Sequence, residues 1–469
     1  MKLKSIFSNS FGILLSRITG LIRNTLMATA LGASVYSDMF FVAFKLANIF
    51  RRIFAEGAFT QAFMPSFVEA KHKGVFATAI FIRFMLIIIL MSLWVTLFPE
   101  IITKLLAWDW SPELIAETAP LTAINFWYLD LIFIVTFIGT LLQYREHFIT
   151  TAMSTALLNL SMIAALLLYM HQDPKVIVYA LSFSAVIGGV LQVITHLISM
   201  RHYKLHKLMI GGWKHRHTRE ITAEKKKFSK LFLPSMWGNS APQIASYLDT
   251  FLASFLVTGS ISYLFYANLL FQLPLGMIAI ATASALFPSI SKALNRNDET
   301  AAYQNLGKAF WLLLFLLTLS TLGGILFAEP LVWLLFEYGA FTPQMSHDTA
   351  WVLIMYMVGL LPYGLAKLFS MFLYASHRHT KAAKIATIAL VVNIIFSLSL
   401  MHSMGSMGLA LAGSIGGWTL CILTIKEIGF DRFVTILKSK MSLYFIVSMP
   451  ILALLFFYIN QLLVLWIRG

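Results

Sequence analysis

The stretch Ser37–Glu69, SDMFFVAFKLANIFRRIFAEGAFTQAFMPSFVE, is apolar enough to enter a bilayer yet carries Asp38, Lys45, Arg51, Arg52 and Glu56. Asp38, Lys45 and Arg52 stand seven residues apart. On a helix that spacing drifts only about 20° per step, which places the three on nearly one face. Glu56 follows Arg52 by four and extends the same stripe. A charge at membrane depth costs about 2.5–3.5 kcal/mol, so such residues are retained where they line a wet cavity or a substrate path. The spacing therefore predicts a membrane helix whose charged stripe carries the function.

The rest of the chain fits that environment. Of 469 residues, 59% are hydrophobic and 12% charged, with mean hydropathy +0.80, against roughly 25% charged residues in soluble domains. A lone cysteine, Cys421, excludes an intrachain disulfide framework. The net charge of +15 reads as basic loops that fix topology, with no nucleic-acid partner. Lys2 and Lys4 precede an apolar run as in a secretory signal, but Arg17 and Arg23 interrupt it, so a retained first helix is expected.

Apolar segments long enough to span about 30 Å of hydrocarbon fall near 6–31, 35–68, 76–106, 118–144, 149–170, 175–200, 228–257, 261–290, 303–328, 345–376, 381–402, 406–427 and 441–465. This predicts an all-α polytopic membrane protein of about 13 transmembrane helices. Lys and Arg gather in alternate connections, including Lys71, Lys73, Arg145, Lys292, Arg296, Arg378, Lys381, Lys426 and Arg432, while the outer loops hold Lys175. The bias places the N-terminus in the cytoplasm and, with an odd helix count, the C-terminus outside. The basic linker 201–227, with His202, His206, His215 and His217, is expected to lie solvated against anionic phospholipid headgroups at the cytoplasmic face.

Ala62-Phe63-Met64-Pro65-Ser66-Phe67 matches Ala285-Leu286-Phe287-Pro288-Ser289-Ile290 at an offset of 223 residues. A six-helix N-terminal half (1–200), the linker, a six-helix C-terminal half (228–430) and an additional helix (431–469) follow. Such pseudo-symmetric halves hold substrate between them near the midplane. Arg17, Arg23, Lys45, Arg51 and Arg52 correspond at that offset to Ser240, Ser246, Asn268, Pro274 and Leu275. The scaffold therefore does not require these cations, and an anionic substrate explains them.

Guanidinium forks favour phosphate or carboxylate. Arg17, Arg23, Lys45, Arg51, Arg52 and, in the second half, Lys367 are the candidate substrate-binding residues, with Asp38 and Glu56 as charge-pairing or gating partners. A salt-bridge ladder that only neutralises buried charge is the competing account of the stripe. Gly20, Gly57, Pro274 and Pro362 are candidate hinges. Asp249, with Asn393, Ser397 and Ser414, is a candidate monovalent-cation site, and coupling to the membrane potential is the other source of drive. No metal-ligand or enzyme signature is found.

Phe40-Phe41-Val42-Ala43-Phe44-Lys45-Leu46, Asn48-Ile49-Phe50-Arg51-Arg52-Ile53-Phe54-Ala55-Glu56-Gly57-Ala58-Phe59 and Gln61-Ala62-Phe63 resemble the signature of the MurJ (MviN) family. Ser16-Arg17, Gly20, Arg23, Gly32-Ala33, Asp38 and Phe336-Glu337-Tyr338-Gly339-Ala340-Phe341-Thr342 fit the same pattern. The resemblance implies a flippase of the multidrug/oligosaccharidyl-lipid/polysaccharide exporter superfamily in the bacterial inner membrane. Its substrate would be lipid II, the undecaprenyl-pyrophosphate-linked peptidoglycan precursor, carried outward by alternating access. It also implies that Arg17, Arg23, Asp38, Arg51, Arg52 and Glu56 belong to a central cationic cavity, with Lys367 at a basic position of the second half. The chain departs from the family at Leu269, where an Arg is usual, and in reading as thirteen helices where many members have fourteen. A polysaccharide-lipid flippase or drug/cation antiporter on the same scaffold, and a polyprenyl-phosphate-dependent glycosyltransferase, are the alternatives. The antiporter needs acids prevailing over arginines in its cavity, and the glycosyltransferase needs catalytic acids in large outer loops.

Overall fold

The computed structural model describes the backbone of residues 3–52, 57–216, 220–296 and 298–468, and the side chains of those residues except 3–11, 13, 237–242 and 464–468. Among the described residues every regular element is helical. The helices are α1 (Leu3–Leu31), α2 (Val35–Phe50), α3 (Ala58–Glu69), α4 (Lys73–Leu97), α5 (Pro99–Leu106), α6 (Pro112–Phe126), α7 (Tyr128–Tyr144), α8 (Ile149–Tyr169), α9 (Pro174–His202) and α10 (Leu205–Lys214). They continue with α11 (Thr222–Ala253), α12 (Ser260–Pro274), a π-helical turn (Leu275–Ile280), α13 (Ala281–Asn295), α14 (Glu299–Leu326), α15 (Ala328–Phe336), α16 (Pro343–Met357), α17 (Leu360–Ala375), α18 (His379–Ile428), α19 (Phe430–Leu437) and α20 (Met441–Arg468).

Nine of the described helical stretches are long and apolar enough to cross a membrane. One of them, α18, is two helices meeting at Gly405, whose φ of 57° lies in the left-handed region that glycine adopts without a Cβ penalty. The protein is thus an all-α polytopic membrane protein. Outside the nine fall α1, α2, α3 and α11, which hold Arg17, Arg23, Asp38, Lys45 and Asp249.

The chain divides into two compact units, 1–255 and 256–469. In the first, α8 packs along both α1 and α9, and α11 packs on α3. Rings fill the space between α3, α4, α7 and α11: Phe59 lies 5.3 Å from Phe133, Phe81 4.8 Å from Phe137, and Phe84 5.0 Å from Phe232. In the second, α12 packs on α16, α17 on α18, and α13 and α17 on α14.

Several expected continuous segments are broken. Residues 76–106 comprise α4 and the short α5, tied at its end by Lys104, which donates to the Trp110 carbonyl (3.4 Å). Gly20, a candidate hinge, lies within the continuous helix α1, and a Cβ there would stand 3.3 Å from Asn159 Nδ2, so this glycine faces a close neighbour. The segment 345–376 breaks at Val358-Gly359, ahead of Pro362. Pro362 sits in the first turn of α17, where its missing N–H is not needed. The linker is more than a solvated strand of charge. Its α10 docks on α4 through Gly74 and Gly212, where a Cβ on Gly212 would collide with the Gly74 carbonyl oxygen, and through Thr78, which donates to the Met209 carbonyl (3.3 Å). Lys207 and Lys214 stay exposed.

Candidate functional site

The turn from α1 into α2 explains the Gly32–Asp38 motif. Gly32 has φ 62° and donates to Ala28 O (2.8 Å), closing α1. Ser37 Oγ then accepts from the Ser34 N–H (2.8 Å) and donates to the Ser34 carbonyl (2.9 Å), opening α2. Asp38, only 4% exposed, sits in that first turn, where the partial positive charge of the helix start favours a carboxylate.

Along α2 the charged residues differ in exposure. Lys45 is half-buried, whereas Arg52 is exposed. After Phe50 the backbone widens into a π turn at Arg51 and Arg52, and Gly57 N–H bonds to Arg52 O, five residues back (3.2 Å). Arg51 N–H still bonds to Ala47 O, so the widening falls beyond Arg51, and Arg52 and Lys45 act on each other electrostatically. Gly57 begins α3 as its N-cap. Glu56 lies outside the described residues. Arg51 is half-buried beside the same turn. The acid that acts electrostatically on Lys45 is Asp249 of α11, in the same unit; the expected alternatives for Asp249 were a cation, a proton or Lys367.

Arg17 is exposed on α1. Arg23, six residues on, is half-buried and held by two amides. Its Nε and Nη2 both donate to Asn24 Oδ1 (3.2 and 2.9 Å), and Nη1 donates to Asn159 Oδ1 of α8 (3.0 Å). The sequence reading missed both asparagines, each 2% exposed. It also missed Asp130 of α7, which accepts from Ser92 of α4 (2.5 Å), and Gln192 of α9, which joins Tyr128 to the Ser154 carbonyl. An amide or acid inside an apolar helix was the available signal.

The remaining candidates lie in the second unit. Lys367 is exposed on α17 between buried Ala366 and Leu368. Pro274 ends α12 and leads into the π turn Leu275–Ile280. The oxygen ligands are already engaged: Ser397 donates to Asn393 Oδ1 one turn back (3.1 Å), and Ser414 donates across to the Met355 carbonyl of α16 (2.6 Å). Asp249 belongs to the first unit and those three to the second. The Phe336–Thr342 motif shapes a turn: Gly339 has φ 59°, Thr342 caps α16 by accepting from Met345 N–H (3.3 Å), and Phe336 and Phe341 pack on Tyr266 at 4.9 and 5.5 Å.

A guanidinium fixed where α8 packs on α1, with further cations on the same bundle, can bind an oxyanion as water is excluded. Comparison with known proteins is consistent with that chemistry. A sequence model of the family described as "Lipid II flippase MurJ" matches residues 27–468. The chain is 46% identical over 445 residues to a Helicobacter pylori protein described as "Probable lipid II flippase MurJ", covering 92% of this chain and 96% of that one. Among solved structures it is similar to "Lipid II flippase MurJ, inward closed conformation", with 26% identity, a TM-score of 0.78 and 97% of each chain covered. An inward-facing multidrug resistance MATE transporter of the MOP superfamily shares the fold alone, at 14% identity and a TM-score of 0.67 over 93% of this chain and 99% of that one. With the match running through nearly the whole sequence, the chain belongs to the lipid II flippase MurJ family.

Proposed function

We propose that this protein is a lipid II flippase of the bacterial inner membrane, moving the undecaprenyl-pyrophosphate-linked precursor from the cytoplasmic to the periplasmic leaflet. It is a transporter and performs no bond chemistry. The observation that carries the reading, beyond family membership, is the Arg23 guanidinium, gripped by Asn24 and Asn159 in the first bundle. Lipid II presents a pyrophosphate and peptide carboxylates on a large polar head, and its polyprenyl tail can remain in lipid. Dragging that head through hydrocarbon strips each polar group of water at several kcal/mol apiece. Cations at Arg17, Arg23, Lys45, Arg51, Arg52 and Lys367 replace that water with fixed donors. Asp38 and Glu56 act as exchangeable counter-charges, and Asp249 as the counter-charge of Lys45. The inside-negative potential drives an anionic head outward, by about 2.3 kcal/mol per charge per 100 mV.

Thirteen spans in two six-helix repeats plus α20 suit this cycle. In that arrangement α2 and α3, α6 and α7, α12 and α13, and α16 and α17 each form one broken span, and α18 contributes two. Support comes from the π turns: Arg51-Arg52 and Leu275–Ile280 fall at the 223-residue offset of the sequence repeat. Rocking of the two repeats about these broken helices, with Gly57 and Pro274 beside the breaks, exposes the site to alternate sides. The N-terminus lies in the cytoplasm and the C-terminus in the periplasm. Lys207 and Lys214, on the exposed side of α10, meet anionic headgroups. The prevalence of arginine argues against transport of organic cations.

The test is leaflet-resolved measurement of the precursor in cells depleted of the native protein and supplied with Arg23→Ala. A charge-assisted hydrogen bond is worth about 1.5–3 kcal/mol, so flipping should slow by roughly 10- to 100-fold at normal protein level. Wild-type flipping by Arg23→Ala would remove the site assignment, and flipping that persists after depletion would remove the function.

A further inference from the structure

Asn159 sits on α8, 2% exposed, where α8 packs against α1. Its Nδ2 donates to the Ser16 carbonyl (3.0 Å) and to Thr19 Oγ1 (3.1 Å), and Thr19 Oγ1 in turn donates to the Leu15 carbonyl (2.8 Å). Both amide donors are therefore spent on α1, and the orientation of the group is fixed. Turned over, the amide would set its N–H₂ against the guanidinium, donor to donor, and its oxygen against a carbonyl. Only the observed orientation leaves Oδ1 facing Arg23 Nη1 at 3.0 Å. Gly20 makes the approach possible, since a Cβ there would lie 3.3 Å from Asn159 Nδ2.

We infer that Asn159 is a positioning residue: anchored on the α1 backbone, it aims the Arg23 guanidinium at an anionic group of the substrate. Asn24 holds the opposite side of the fork through Nε and Nη2, so two amide oxygens fix the guanidinium plane. An amide oxygen orients the cation while contributing no charge of its own. A carboxylate at the same place would form an ion pair with Arg23, compete with the substrate anion, and lose both donors to α1.

The inference rests on the reading of Arg23 as a substrate contact, and a double-mutant cycle separates the two. Binding of lipid II to purified protein in nanodiscs is measured for wild type, Asn159→Ala, Arg23→Ala and the double variant, with undecaprenol as the uncharged probe. Asn159→Ala should weaken lipid II binding on the order of tenfold, leave undecaprenol binding unchanged, and cause no further loss once Arg23 is Ala. Asn159→Asp, of nearly the same volume, should weaken lipid II binding more than Asn159→Ala. If Arg23→Ala weakens binding and Asn159→Ala does not, positioning fails and the substrate contact stands. If Arg23→Ala binds like wild type, both fail. An Asn159→Ala loss that is equal with and without Arg23, or that extends to undecaprenol, marks a packing role and overturns the inference. Thr19→Val, which removes one of the two anchors of the amide without touching Arg23, guards against misfolding of Asn159→Ala and should weaken lipid II binding by less than Asn159→Ala; unchanged binding in that variant counts against the anchored geometry.

Discussion

The two units bury different kinds of polar side chain. Among the described residues the first buries amides, acids and an imidazole (Asn24, Asp38, Asn125, Asp130, Asn159, Gln192, His196 and Gln243) besides its hydroxyls, whereas the second buries hydroxyls alone. The difference is one of reach. A serine or threonine can satisfy itself on the carbonyl one turn back, as Thr424 does on Leu420 (2.8 Å). An amide has more donors and acceptors than its own helix can absorb. Asn125 returns one bond to Leu121 and sends another across to Ser182, both at 2.9 Å, and Gln192 bridges Tyr128 and Ser154. Such groups fix how helices stand against each other, which a bundle needs if it must hold a guanidinium in place. Close packing at glycines serves both units, as at Gly189, where a Cβ would meet Leu131 at 2.8 Å, but in the second it acts without buried amides: a Cβ on Gly417 would meet the Tyr363 ring at 2.6 Å.

The largest effect expected from this contrast is at Gln192. Gln192→Leu removes both of its bonds from a buried site, at about 2–3 kcal/mol, read as a lower thermal unfolding temperature in detergent. A variant as stable as wild type would mean that the first unit does not depend on its amides. Next comes Gly417→Ala, at about 1–2 kcal/mol for overpacking against a rigid ring. Unaltered unfolding there would show that the second unit yields where close packing is invoked.

A smaller effect is confined to acid. His147, in the turn between α7 and α8, shares Nε2 with Thr150 Oγ1 (2.7 Å) and Nδ1 with Tyr203 Oη (2.9 Å), which ties the start of α8 to the end of α9. Burial first, and the neighbouring His202 second, hold its pKa below the ordinary histidine value. Folding thus favours the neutral ring. The stabilisation is complete above a pH of about 6.5 and is lost as pH falls through the folded-state pKa. The drop in unfolding temperature between pH 8 and pH 5 should shrink in His147→Gln; equal drops would take the imidazole out of the contrast.

Charged residues inside apolar segments were legible because hydrocarbon makes each of them expensive, and that logic singled out Arg23, Lys45 and Asp249 before any geometry. Their partners were not legible. Asn24 and Asn159 look in sequence like any amide bonded to its own helix, and only the packing of α8 on α1 reveals where Asn159 points. The π turn at Arg51-Arg52 was hidden for a related reason. Pro274 announces the π turn that follows it, but no proline or glycine stands at Arg51-Arg52 to announce that one.

The smallest effect tests the self-sufficiency of the hydroxyls. Thr424 is fully buried, and its Oγ1 bonds only to carbonyls of its own helix, Leu420 at 2.8 Å and Cys421 at 2.9 Å. Those carbonyls already accept from the helix ladder, so Thr424→Val strands no donor and leaves no acceptor bare, and the methyl occupies the volume of the lost hydroxyl. Side-chain hydrogen bonds within membranes average about 0.6 kcal/mol, and this one should fall at or below that value in thermal unfolding. A loss comparable with that of Gln192→Leu would mean that the Thr424 hydroxyl holds a neighbouring helix after all. Ser414 already ties α18 to the Met355 carbonyl of α16, so Thr424 would add a second such tie, and the contrast between self-sufficient hydroxyls and bridging amides would lose its physical basis.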